Sequence, residues 1–239
     1  MHGKQSEVKL DDTCKIFNGI GERAKVARYH SLIAKKVKDV NGIFVVFEGT
    51  DGAGKTTTID LVKKELEQIG LNVICMKTPT DFLRSGGMWK IWNEQKVSGD
   101  ELFDYGLSVM AFGERIAYQQ KCILPALENN IVLMDRYILS SLVYECGEIH
   151  ERLAKLLVKP DIGYVLSANI NNVLARIENR DYEKLCEGED VVLNDLIRRY
   201  IELANINGYE ILDTNSQSSQ ECAFNIVNQI LVKYQQRNC

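Results

Sequence analysis

The chain has 239 residues and nearly balanced charge, 29 Lys and Arg against 33 Asp and Glu, for a formal net charge of −4. That balance argues against a nucleic-acid partner, which would select a basic face. The 45% hydrophobic content fits a globular chain long enough to bury a sizeable core. Seven scattered cysteines, with no paired or metal-ligating spacing, point to a reducing compartment. No apolar run reaches transmembrane length and the polar N-terminus lacks a signal-peptide stretch, so a cytoplasmic location without membrane contact is expected.

Residues 1–40 read as an extension. Val26, Tyr29, Ile33 and Val37 recur at three- and four-residue spacings, which predicts a short amphipathic helix packed on the main body or on a partner subunit. The run IFVVFE at 43–48 is a predicted buried strand ending at a glycine-rich turn, and 55–69 follow with helical spacing. NVICM at 72–76 is a second strand, and 100–128 read as one long helix with Pro125 near its end. IVLMD at 131–135, IGYVLS at 162–167 and YEILD at 209–213 complete five strands. Helical segments are predicted at 138–158, 170–180, 189–207 and 217–235. Strands alternating with helices imply an α/β fold: a parallel sheet covered on both faces, with ligands at the carboxyl ends of its strands. The loops after Phe47, Met76 and Met134 are therefore expected to meet.

Gly49-Thr50-Asp51-Gly52-Ala53-Gly54-Lys55-Thr56 matches G-x-x-x-x-G-K-[ST] in full and lies between a predicted strand and a predicted helix. Glycines let backbone N–H groups face phosphate oxygens, and the helix start adds its positive dipole end. The loop from Gly49 through Gly52, Ala53 and Gly54 to Thr57 is the expected ATP cradle. Lys55 would reach the β- and γ-phosphates, and Thr56 would offer its hydroxyl to Mg²⁺. A D-x-x-G segment after a strand beyond the phosphate loop and an N-K-x-D segment, both expected of a GTPase, do not appear. The third strand ends instead in Asp135-Arg136-Tyr137. Asp135 suits contact with Mg²⁺ or a substrate phosphate, and Arg136 suits bidentate contact to a phosphoryl group.

FEGTDGAGKTT, DRYILSSLVYE and FGERIAYQQKCILPAL, with YIELA late in the chain, resemble the thymidylate kinase family over roughly residues 42–235. The resemblance implies a three-layer P-loop kinase fold with a short basic lid, at about 178–190, inside a catalytic domain of 41–239. It implies phosphoryl transfer from ATP to dTMP, giving dTDP, and a homodimer. It further implies that Asp51 lies near the sugar 3′-hydroxyl or the phosphates, that Arg136 grips the monophosphate, and that Arg115 donates to a thymine carbonyl. Ser140 and Ser141 match positions lining the base and phosphate pocket, although helix capping explains Ser140 equally well. Tyr144 matches the ring under the sugar.

The chain departs from the family pattern in several places. Some members carry an Arg in the phosphate loop where this chain has Gly52, so the catalytic cation is expected from the lid, from Arg180 or Lys184. The family's R-E-P-G-G segment survives only as Lys77-Thr78-Pro79-Thr80, leaving Lys77 or Arg84 to substitute for its Arg. The aromatic expected four residues before Arg115 is Ala111, with Phe112 one residue later. These departures leave a dUMP or less selective pocket open. A deoxynucleoside kinase using Glu48 as general base and a non-catalytic nucleotide-binding module are the alternatives.

Overall fold

The computed structural model describes residues 40–88, 90, 101–144, 147–178 and 190–238, together with Arg28 and Ser31. The expected N-terminal helix and the lid residues Arg180 and Lys184 lie outside the described residues. Five strands, β1 (Phe44–Glu48), β2 (Val73–Lys77), β3 (Ile131–Asp135), β4 (Ile162–Ser167) and β5 (Glu210–Asp213), form one parallel sheet in the order β2-β3-β1-β4-β5. In register, Phe47 lies opposite Asp135, and Asp135 opposite Lys77. The carboxyl ends of β1, β2 and β3 thus finish together, as expected.

Successive strand residues point to opposite faces. Ile43, Val45, Phe47, Ile131, Leu133, Tyr164, Leu166 and Leu212 pack against helix α1 (Lys55–Gln68) and the C-terminal helix of Ser219–Asn238, which contributes Ala223, Ile226 and Ile230. On the other face Val165 packs with Leu139 and Val143 of the helix Ile138–Tyr144, and with Leu196, Tyr200 and Ala204 of the helix Asp190–Asn207. Burial on both faces explains why β1 and β3 read as continuous apolar runs rather than alternating ones.

The predicted helix of 100–128 forms as Glu101–Tyr118, passes through a π turn at Gln119–Ile123 and ends in Leu124–Ala126. The predicted helix of 138–158 is instead two short helices, Ile138–Tyr144 and Glu148–Ala154, with extended Gly147 capping the second. At the opposite end of the sheet, Asp161 accepts from the Phe44 N–H at 2.8 Å and pairs with Arg237, which also donates to the Gly42 carbonyl. This ties the last helix to the start of β1.

Gly163 in β4 has the Tyr209 ring where a Cβ would stand. We expect Gly163→Ala to lower unfolding stability by about 1–3 kcal/mol through overpacking, read as a reduced midpoint in urea; an unchanged midpoint would show that Tyr209 moves freely.

Candidate active site

The loop after β1 turns through three glycines at positive φ: Gly49 (133°), Gly52 (76°) and Gly54 (101°), the last capping α1. These left-handed conformations expose backbone N–H groups along one side of the loop. Lys55 is buried, and its ammonium donates to the carbonyls of Gly49 (2.9 Å) and Thr50 (2.8 Å). Ala53 is buried, whereas Thr56 and Thr57 are exposed at the start of α1. A Cβ at Gly52 would stand 2.8 Å from the Val173 carbonyl oxygen and 3.1 Å from side-chain carbons of Val173 and Ile177. An arginine at this point of the loop would have to displace the helix Ile170–Glu178. From that helix Arg176 donates to the Gly52 carbonyl (3.2 Å), the Thr214 hydroxyl (3.0 Å) and the Thr214 carbonyl (2.8 Å). Arg176 thereby clamps the phosphate loop to the end of β5.

The turn after β3 is built on Arg136, whose φ of 65° is unusual for a residue with a side chain. Its N–H donates to the Phe47 carbonyl at 2.9 Å, and its carbonyl accepts from the Thr78 hydroxyl at 2.7 Å. Buried Glu48 holds the next turn of chain. Its Oε1 accepts from the N–H groups of Tyr137 and Leu139, both at 2.9 Å, and its Oε2 from the Ser140 N–H at 3.1 Å and hydroxyl at 2.5 Å. Burial pushes the Glu48 carboxyl up, opposed by Ser140 and by the charges of Arg115 and Arg136. The Arg136 guanidinium pairs with Asp51 at 2.6 Å and donates to the Tyr200 hydroxyl at 2.9 Å.

Desolvation opposes ionisation of Asp51, but Arg136, Lys55 and Arg84 together hold its carboxyl down at about 2. Arg136 pairs with Asp51, and the charges of Lys55, at the start of α1, and Arg84, after β2, act on the same carboxylate, an arrangement suited to a polyanion. Of the two candidates to replace the missing Arg, Lys77 is exposed, whereas Arg84 is among the charges felt by Asp51 and has a buried Nε without a hydrogen-bond partner. Arg84 is held in place by its short helix, Asp81–Ser85, capped by Thr80, whose hydroxyl and N–H both donate to Glu114.

Arg115 is almost fully buried. Its Nε donates to the Thr78 hydroxyl at 3.1 Å, and its Nη1 is buried without a hydrogen-bond partner. Desolvation lowers its pKa to about 10, offset by Glu48 and Glu114, so it stays cationic at neutral pH. Thr78 thus joins the two expected substrate arginines, touching the side chain of Arg115 and the backbone of Arg136. Ser141 is buried at the same helix start, and Tyr144 is 43% exposed at the helix end. Phe112 is fully buried with its ring 5.7 Å from that of His150, so it packs toward the helix Glu148–Ala154. Asp135 Oδ1 is buried and makes no hydrogen bond.

Sequence reasoning did not anticipate Thr78, Tyr200 or the clamping role of Arg176, and it treated Glu48 only as a base for an alternative chemistry. Tyr200 carried the signal of a core aromatic, and Thr78 the signal of a lost motif.

The family model for thymidylate kinase matches residues 47–226. The chain belongs to the thymidylate kinase family. It is 31% identical over 199 residues to a probable thymidylate kinase of Thermococcus gammatolerans, covering 75% of this chain and 91% of that one. It is 32% identical over 181 residues to the thymidylate kinase of Buchnera aphidicola subsp. Baizongia pistaciae, covering 69% and 82%. Its fold is similar to that of the thymidylate kinase from Candida albicans, with a TM-score of 0.61 at 18% identity over 80% of this chain and 92% of that one. The chain is accordingly an ATP-dependent phosphotransferase, and the family's reaction converts dTMP to dTDP.

The pairing at Asp51 has a pH signature. A carboxyl held at about 2 when folded, against 3.8 ordinarily, stabilises the fold above the ordinary value and loses that contribution as pH falls through the folded one. Asp51→Asn is expected to melt below wild type at neutral pH, the gap closing as pH drops from about 4 toward 2. A gap independent of pH would mean that the ion pair with Arg136 contributes nothing.

Proposed function

We propose that the residues gathered at the ends of β1, β2 and β3 hold two phosphate groups in line and move the γ-phosphoryl group of ATP onto the phosphate of dTMP. An acceptor phosphate oxygen forms the new bond to the γ-phosphorus. The bond from that phosphorus to the β,γ-bridging oxygen breaks, and ADP leaves. This transfer asks little covalent chemistry of the protein and much positioning and charge. In this reading the backbone of Gly49, Gly52, Ala53 and Gly54, with Lys55, Thr56 and Thr57, cradles the ATP phosphates. Arg136 grips the acceptor phosphate, Arg84 adds charge beside it, and Asp51 orients Arg136 or meets the sugar 3′-hydroxyl. The buried, unpaired Nη1 of Arg115 is the donor for a base carbonyl, with Ser141 and Tyr144 completing the acceptor pocket and Phe112, packed on His150, backing it from behind. The convergence of Arg136, Lys55 and Arg84 on Asp51 carries this reading.

The oxygen donors at hand suit Mg²⁺. The exposed hydroxyl of Thr56 and the buried, unpaired Asp135 Oδ1 are hard ligands. Among the described residues there is no cluster of three or more His, Cys, Asp or Glu side chains to enclose a metal, which fits an ion shared with substrate phosphates. Bound there, Mg²⁺ would neutralise charge on the β- and γ-phosphates. Arg180 and Lys184 of the lid remain our candidates for the cation on the moving group, in a catalytic domain of 41–239 that follows an extension of 1–40. A homodimer in the cytoplasm, with neither nucleic acid nor membrane as partner, completes the proposal. Exposed Leu102 and Met110, about 80° apart around the helix Glu101–Tyr118, offer apolar surface for the second copy. No described helix is long and apolar enough to cross a membrane.

The deoxynucleoside kinase alternative needs Glu48 free to take a proton from a 5′-hydroxyl. Its two oxygens instead accept four hydrogen bonds from the turn at 137–140. That engagement favours a phosphate acceptor over a free nucleoside. The test is an ADP-release assay with ATP·Mg²⁺ against dTMP, dUMP, UMP, CMP, GMP and thymidine, with Lys55→Ala as control. We expect turnover on dTMP, none on thymidine, and loss of about a thousandfold or more in the control. Activity on thymidine but not dTMP would sink this reading.

A further inference from the structure

Tyr200 lies in the helix Asp190–Asn207 and is 1% exposed. Its hydroxyl sits 2.9 Å from Arg136 Nη1 and 2.9 Å from Ser140 Oγ. Ser140 Oγ is in turn 2.5 Å from Glu48 Oε2. The direction of this chain follows from what each group can do. A guanidinium only donates, so the Tyr200 oxygen accepts from Arg136. The Tyr200 hydroxyl can in turn donate to Ser140, and the Ser140 hydroxyl donates to the Glu48 carboxylate. The relay runs from a cation to a buried anion through two hydroxyls, each donating once along it. The other guanidinium nitrogen, Nη2, meets Asp51 at 2.6 Å.

We infer that Tyr200 is a positioning residue for the acceptor phosphate: its hydroxyl fixes one edge of the Arg136 guanidinium while Asp51 fixes the other. Three observations carry the inference. Arg136 springs from a backbone conformation at φ 65°, so its side-chain direction is set by the turn. That turn is itself held by the carboxylate that ends the relay. And the Asp51 side chain, which meets Nη2, is 39% exposed, so solvent competes for it and it alone is a loose anchor for a planar group that must present a fork to phosphate. A buried phenol on a long helix is a stiffer one. The same contact couples the helix that follows the lid to the residue that holds the acceptor.

The inference rests on the assignment of Arg136 to the acceptor phosphate but not on the identity of the base. The experiment is steady-state kinetics of Tyr200→Phe, which keeps the ring and removes only the hydroxyl, with the best acceptor found for the wild-type enzyme. We expect KM for the monophosphate to rise about tenfold, KM for ATP to stay within about twofold, and the melting temperature to move little. On an Arg136→Lys background the same change should add nothing further, because Tyr200 acts through the guanidinium. Ser140→Ala removes the link to Glu48 and a 3.5 Å contact from Arg136 Nη1 while keeping the Tyr200 ring, and should produce the same selective rise, about two- to threefold. Unchanged KM for the acceptor, equal rises for ATP and acceptor, or full multiplicative effects in the Arg136→Lys background would each overturn the inference. If the wild-type enzyme prefers a monophosphate other than dTMP, the proposed acceptor is wrong and the Tyr200 test is read with that monophosphate instead.

Discussion

The site depends on one buried carboxylate. Glu48 ends the central strand with no exposed surface, and an uncompensated charge there would be strongly destabilising. It is compensated by the backbone N–H groups of Tyr137, Leu139 and Ser140 and by the Ser140 hydroxyl. Those amides belong to the start of a seven-residue helix, where unpaired donors and the positive end of the dipole both favour an anion. The carboxylate and the turn therefore need each other. Their mutual satisfaction fixes the chain just after Arg136 and so sets where the guanidinium can reach.

From that anchor the acceptor side of the site is assembled by short links between neighbouring strand ends. Thr78, following β2, joins the Arg136 carbonyl to the Arg115 side chain. Glu114 holds Thr80 and with it the short helix that brings Arg84 toward Asp51. Gln119, from the π turn, accepts from the Tyr137 hydroxyl at 2.8 Å and the Val158 N–H at 2.6 Å, closing the floor beneath the turn. On the donor side the phosphate loop is packed so tightly against the helix Ile170–Glu178 that position 52 has no room for a side chain. Positive charge over the moving phosphoryl group must come from elsewhere, and the sequence offers Arg180 and Lys184.

The phosphate loop was legible in the sequence because its function is local: eight adjacent residues, each demanded by backbone geometry or by charge. The five strands were legible for a related reason, since burial on both faces leaves an apolar run that needs no partner to be recognised. Asp135 and Arg136 could be named from their place at a strand end. The links that make the site work were not legible. Ser140 and Glu48 are 92 residues apart, and Tyr200 and Arg136 are 64 apart, so no spacing rule joins them. Tyr200 has the pattern of a core residue and also is one; only its hydroxyl serves the site. Phe112 could be placed on the long helix, but the direction of its ring, toward His150, depends on the short helix that a single long reading of 138–158 concealed.

We propose that the acceptor is held by its phosphate, through an arginine fixed on two sides. Calorimetric titration of the protein with dTMP and with thymidine, without ATP, tests it most directly. We expect dTMP to bind at least about a hundredfold more tightly than thymidine, roughly 2.7 kcal/mol, and Arg136→Ala to remove most of that difference. Equal affinity for the two in the wild-type protein, or a difference that survives Arg136→Ala undiminished, would contradict it.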